Sequence, residues 1–193
     1  MHGHHLMIRA AATTAKVVDA IEPGQLTAPT PCAEYDVRSL INHLLFWGPS
    51  LEAAAHKEAL MPPAAAESDI DLTTGDCTAD LADQLHRIAD AWSDPAAWEG
   101  VTPLGGQDSP APLIGGMILV EQVIHGWDLS RATGQHPTYD EDVLDYVHNE
   151  TLTHAAFGRE MGLYGPEIPV PSNAAQLDRA LGLTGRNPQW TPA

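Results

Sequence analysis

Glu121 and His125 are four residues apart in a stretch whose apolar residues recur at helical spacing. On an α-helix, side chains at this interval lie on one face, one turn apart, so that a carboxylate and an imidazole can reach one metal ion. Asp128 falls on the same predicted face, whose other residues are apolar: Ile114, Met117, Ile118, Ile124 and Ala132. Ionisable groups in an apolar stripe must be paired or must bind something. With His43 upstream, the pair indicates an open three-ligand metal site.

Spacing alone does not select this pair. Glu52 and His56 are also four residues apart, and so are Glu150 and His154. Any one such pair fits a surface pair or a hydrogen-bonded core histidine at least as well as it fits a metal site.

Composition and charge restrict the class of protein. The 193 residues fit one domain that is long enough to bury a core without disulfide bonds. Nine basic against 26 acidic residues give a formal charge of −17, which repels nucleic acid and anionic membranes. The sequence shows neither a membrane-spanning run nor a secretory leader, so we expect a cytoplasmic protein.

Cysteine and histidine content adds no second metal motif. Cys32 and Cys77 lack the C-x-x-C spacing of a zinc-thiolate site, and we interpret them as buried or idle thiols. The early histidines His2, His4 and His5 are given no function.

The periodicity predicts an all-α fold. A first helix carries Met7 to Ile21, and a second begins after Asp36 as N-cap and is kinked or ended by Pro49. Thr78 is the predicted cap of a third helix, and a fourth covers residues 113–132. Residues 61–77 and 95–112 are predicted loops, the second too rich in Gly and Pro for regular structure.

The last third of the chain is predicted to be less regular. A capping box of Thr138 and Glu141 starts a fifth helix, with Val143, Val147 and Phe157 facing inward. A short helical piece at residues 174–181 lies in a Gly/Pro-rich tail. The prediction is a four-helix bundle with an additional C-terminal helix and an irregular tail.

Three segments resemble a known family. They are Pro31-Cys32 with Val37-Arg38-Ser39-Leu40-Ile41-Asn42-His43-Leu44, Glu121-Gln122-Val123-Ile124-His125-Gly126-Trp127-Asp128-Leu129, and Leu181-Gly182-Leu183-Thr184-Gly185-Arg186-Asn187-Pro188. They resemble "T-P-C … W-x-V-R-D-L-x-x-H-L", "E-x-x-x-H-x-W-D-L" and "L-L-G-R-D-P" of actinobacterial DinB-like proteins akin to the N-terminal domain of mycothiol-dependent maleylpyruvate isomerase.

The resemblance implies a DinB-like four-helix bundle that holds a divalent metal through His43, Glu121 and His125. It also implies mycothiol as a co-substrate. Tyr35 stands where the family usually has Trp, a change expected to alter packing more than chemistry. The isomerase carries a further C-terminal domain, which we expect this chain to lack.

Three neighbouring residues have two interpretations each. Asp128 is either an acceptor that orients a ligand imidazole or the partner of Arg131, Arg9 or Arg38. Trp47 and Trp127 either line a substrate cleft or serve only in packing.

A site of two imidazoles and one carboxylate leaves coordination positions open, as catalytic zinc sites do. Zinc fits best, and nickel, manganese or iron accept the same ligands. The leading hypothesis is a thiol-dependent transferase or isomerase, in which a metal-bound thiolate adds to an electrophilic carbon. A metal sensor or storage protein and a metal-dependent hydrolase are the alternatives, and a homodimer is left open.

Overall fold

Six α-helices make up most of residues 3–192, which the computed structural model describes. Of the early histidines, His2 lies outside the described residues. The helices are α1 His4–Asp19, α2 Val37–Ala55, α3 Cys77–Trp92, α4 Ala111–Ala132, α5 Glu141–Glu160 and α6 Gln176–Leu183. The predicted all-α, DinB-like fold with an additional C-terminal helix is confirmed.

The two candidate ligand helices lie in the four-helix core. α1 and α2 each pack against α3 and α4, so that α4 has neighbours on several sides. This explains why α4 is apolar nearly all round and buries most of its residues. α5 packs against α4, and α6 packs against α5. Within the described residues, the structure contains no helix long and apolar enough to cross a membrane.

Local capping fixes where α2 begins. The Asp36 carboxylate accepts a hydrogen bond from the backbone N–H of Ser39, as predicted for an N-cap. The helix continues through Pro49 to Ala55 rather than ending there. α3 starts two residues earlier than expected, and its cap is Asp76 rather than Thr78.

The predicted loop at residues 95–112 contains regular structure, so that prediction is wrong. After a 3₁₀ turn at Pro95–Trp98, strands β1 Val101–Leu104 and β2 Gln107–Pro110 form an antiparallel hairpin. Its turn residues, Gly105 and Gly106, have φ angles of 60° and 80°, which only glycine adopts easily.

Two predictions for the fifth helix are also wrong. α5 begins at Glu141 after Asp140, and no side-chain cap bond forms there, so the Thr138/Glu141 box is absent. Val143 and Val147 are buried, but Phe157 is 57% exposed. Ten residues after Val147, a helix has turned about 80° away from the buried face.

Candidate metal centre

The three predicted ligands lie together although His43 is on α2 and the other two are on α4. One ligand atom from each of His43, Glu121 and His125 lies within 4.8 Å of the other two. Glu121 Oε2 is 3.0 Å from His125 Nε2 and 3.9 Å from His43 Nε2. The His43 and His125 rings meet edge-on, with 5.4 Å between their centroids.

The far side of His125 is held by Asp128. His125 Nδ1 is 3.0 Å from Asp128 Oδ2, and an ionised carboxylate only accepts, so Nδ1–H is the donor. Asp128 is fully buried, and its other partner is Arg186, whose Nη2 donates to Oδ2 at 3.2 Å. The expected partners Arg131, Arg9 and Arg38 bond elsewhere, to Trp190 O, to Asp140 and Asp142, and to Thr73.

The far side of His43 is held in the same manner by Glu67, a residue that sequence reasoning missed. His43 Nδ1 is 2.9 Å from Glu67 Oε1, which also accepts a hydrogen bond of 2.8 Å from Trp47 Nε1–H. The Tyr35 hydroxyl donates to Glu67 Oε2 at 3.2 Å and lies 3.4 Å from His43 Nδ1. Tyr35 therefore takes part in the polar network around His43.

Electrostatics couples these groups strongly. Burial acts to lower the pKa of His125, but Glu121 and Asp128 outweigh it and raise the pKa to about 9. Burial acts to raise the pKa of Glu121, but His125 and His43 hold it well below its usual range. The pKa of Glu67 is also lowered, against the effect of burial, by hydrogen bonds from Trp47 and His43. Both carboxylates are thus ionised at neutral pH.

This donor set fits a divalent metal ion. Each imidazole has its Nδ1 engaged by a carboxylate, which leaves Nε2 as the nitrogen that could bind a metal ion and raises its basicity. With zinc–ligand distances of about 2.0–2.1 Å, the ligand atoms of a tetrahedral site lie about 3.3 Å apart. The two measured separations, 3.0 Å and 3.9 Å, are on either side of that value.

The two other Glu/His pairs lack a third ligand. Glu52 forms an ion pair with Arg87 at 3.2 Å, while His56 is an exposed C-cap. Glu150 Oε2 is 3.6 Å from His154 Nε2. Within residues 3–192, neither pair belongs to a group of three or more His, Cys, Asp or Glu with metal-binding proximity.

A second group shares His125 and includes Cys32, which we interpreted from the sequence as a buried or idle thiol. Ligand atoms of Cys32, His125 and Asp128 also lie within 4.8 Å of one another. Cys32 Sγ accepts a hydrogen bond of 3.4 Å from Arg186 Nη2. Burial raises the pKa of the Cys32 thiol to about 11, so it is protonated at neutral pH.

The two candidate substrate-binding tryptophans occupy different environments. Trp47 is half-buried and hydrogen-bonded to Glu67, whereas Trp127 is only 7% exposed and packs in the core between the helices. A cavity of about 150 Å³ lies instead between α4 and α5, and neither tryptophan lines it.

Comparison with known proteins agrees with the motifs. A family model described as "Mycothiol maleylpyruvate isomerase N-terminal domain" matches residues 8–130, which include all three candidate ligands. No solved structure gives a significant match.

Two curated relatives match over nearly the whole chain. An uncharacterized protein of Mycobacterium tuberculosis strain CDC 1551 / Oshkosh is 24% identical over 182 residues, which are 92% of this chain and 94% of the relative. An uncharacterized protein of strain ATCC 25618 / H37Rv matches with the same identity and coverage.

Proposed function

The chain belongs to the mycothiol maleylpyruvate isomerase N-terminal domain family, and on this basis we propose a thiol-dependent transferase or isomerase that acts on a small electrophile. The proposed metal ligands are His43, Glu121 and His125, and the proposed co-substrate is mycothiol. The observation that carries the proposal is the pair of carboxylates on the two Nδ1 atoms, because it leaves both Nε2 atoms free to ligate beside Glu121.

The chain's own residues prepare the ligands. Asp128 and Glu67 fix the tautomer of each imidazole, so that both Nε2 atoms present a lone pair when they lose their proton. Arg186 balances the buried charge of Asp128, and Trp47 and Tyr35 hold Glu67 in place. Arg186 lies near the C-terminus yet contacts α4, which supports the proposal that the chain forms one domain.

A metal ion bound there would lower the pKa of a thiol, so that the sulfur reacts as the thiolate at neutral pH. Three protein ligands leave room for such a sulfur. Zinc is the proposed ion, because imidazole and carboxylate suit it, and nickel, manganese or iron remain alternatives.

Cobalt substitution tests the proposal. A thiolate on cobalt gives an intense charge-transfer absorption that nitrogen and oxygen ligands do not give. We expect mycothiol to produce this band in the cobalt-loaded wild-type protein, and a matched alcohol to produce none. Absence of the band with cobalt still bound would contradict thiol chemistry. Turnover without any thiol would then favour a metal-dependent hydrolase. Absence of turnover with every substrate tested would favour a sensor or storage protein.

A further inference from the structure

The cavity between α4 and α5 is separate from the ligands but adjoins them. Its lining contains none of His43, Glu121 and His125. Met117, which does line it, precedes Glu121 by one turn on the same face of α4. Val120, which precedes Glu121 directly in the chain, also lines it. The cavity is therefore next to the Glu121 side of the candidate metal centre.

Two glycines, one on α4 and one on α5, allow the close approach of side chains that line the cavity. A Cβ on Gly158 would lie 2.5 Å from Tyr164 Cδ2, so glycine lets this ring lie on α5. A Cβ on Gly116 would lie 2.7 Å from Glu150 Oε2, so glycine lets this carboxylate approach α4. The position of the aromatic ring therefore depends on a residue without a side chain, whereas the Glu150 carboxylate is the end of a flexible side chain.

The lining is mainly apolar. A cavity of about 150 Å³ with apolar walls is large enough for a benzene-sized molecule and too small for a polar, sugar-linked thiol such as mycothiol. Two of the lining side chains, Phe157 and Leu163, are 57% and 61% exposed. A binding site for an apolar group would explain why these large apolar side chains face solvent. The apolar part of the lining comprises Leu113, Ile114, Met117, Val120, Phe157 and Leu163.

The described lining offers an anion no fixed positive charge. Glu150 lines the cavity, and among the described lining residues there is no Lys or Arg. The one lining group that can become cationic, His154, lies 3.6 Å from Glu150 and faces its carboxylate. A dicarboxylate would lose its hydration here without gaining a cationic partner.

We propose that this cavity binds the electrophile, and that it takes an uncharged apolar group about the size of a benzene ring rather than a dicarboxylate. The assignment to the electrophile rests on the function proposed above. Binding of the apolar group itself requires neither metal nor thiol.

Methyl NMR of the full chain labelled at methionine methyl groups tests the proposal, with the Met117 signal identified by its loss in Met117→Leu. Toluene and maleate serve as the uncharged and the dianionic probe. We expect toluene to shift the Met117 signal saturably and maleate to leave it unchanged. A response to maleate equal to that of toluene, or no response to toluene, would overturn the inference.

A matched pair of variants locates the binding. Phe157 and Leu152 are both on α5 and both more than half exposed, but only Phe157 lines the cavity. Phe157→Ser should weaken toluene binding by about fivefold or more through loss of apolar contact, and Leu152→Ser should not. Equal weakening by both would place the probe elsewhere and overturn the inference.

The test separates the two proposals. Cobalt–thiolate absorption without toluene binding leaves the proposed function in place and refutes the apolar subsite. Toluene binding without the absorption refutes the proposed function, while binding of an apolar group in the cavity stands.

Discussion

The two sides of the His125 ring carry similar residue types but different charges. On the Nε2 side lie Glu121 and His43, which offer lone pairs. On the Nδ1 side lie Asp128 and Cys32, which also belong to metal-binding residue types. A guanidinium lies on the Nδ1 side alone among the described residues. It belongs to Arg186, which donates hydrogen bonds to Asp128 at 3.2 Å and to Cys32 at 3.4 Å.

The guanidinium favours the group on the Nε2 side as the proposed metal site. Arg does not lose its proton in proteins, so a divalent cation beside Asp128 and Cys32 would be repelled by a fixed buried charge. Cys32 would also have to lose a proton against a pKa of about 11. Proximity of ligand-type side chains is therefore not enough to define a metal site. Whether a cation can bind also depends on the charged group that already forms hydrogen bonds with these side chains, which is Arg186 on the Nδ1 side.

The largest expected effect is loss of metal when the Nε2 side is altered. His43→Ala and His125→Ala each remove one of three proposed ligands, so metal affinity should fall by more than about a hundredfold. This loss exceeds the one usually caused by removing a residue that only hydrogen-bonds to a ligand. Elemental analysis of dialysed protein measures the metal content. His154→Ala, from the pair at the cavity, is the control and should retain it. Full metal content in His125→Ala would refute the assignment of both groups, since they share this residue.

A smaller effect is expected at the carboxylate behind His43. Glu67→Gln keeps the size of the side chain but removes the charge that raises the basicity of His43, so metal affinity should fall about tenfold or more. Competition with a chelator measures the affinity, and the cobalt spectrum reports whether the ligand geometry changes. Glu58→Gln, at an exposed position on the same connection, is the control. Equal affinity in Glu67→Gln and wild type would show that Glu67 does not position the ligand.

Local signals in the sequence predicted much of the fold. Asp36 as N-cap and the inward positions of Val143 and Val147 depend on residues within a few positions, and the structure has both. The hairpin was missed although a usable signal was present. Gly105 and Gly106 between two short segments are typical of a two-residue hairpin turn.

The partners of the site could not be read in the same way. Glu67 lies in a 3₁₀ turn 24 residues from His43, and Arg186 lies 58 residues from Asp128. No helical period connects such positions, and many other acidic and basic residues were equally available. Spacing also offered three Glu/His pairs, and only the family motif favoured Glu121 and His125 over the others.

The smallest expected effect is at Cys32, on the Nδ1 side. Because the guanidinium repels a cation there, Cys32→Ser should keep full metal content and thiol-dependent absorption. If Cys32 were a ligand, the variant would lose metal.

The pH dependence of Cys32 alkylation gives an independent measurement in a Cys77→Ser background. A pKa raised by burial to about 11 leaves roughly one thiol in a thousand ionised at pH 8, against about one in ten for a pKa of 9. Alkylation by iodoacetamide should therefore still accelerate as the pH rises from 9 to 11, equally in metal-loaded and chelated protein. Slower alkylation of Cys32 in the metal-loaded protein than in the chelated protein would instead place the ion on the Nδ1 side of His125 and contradict the proposed ligands.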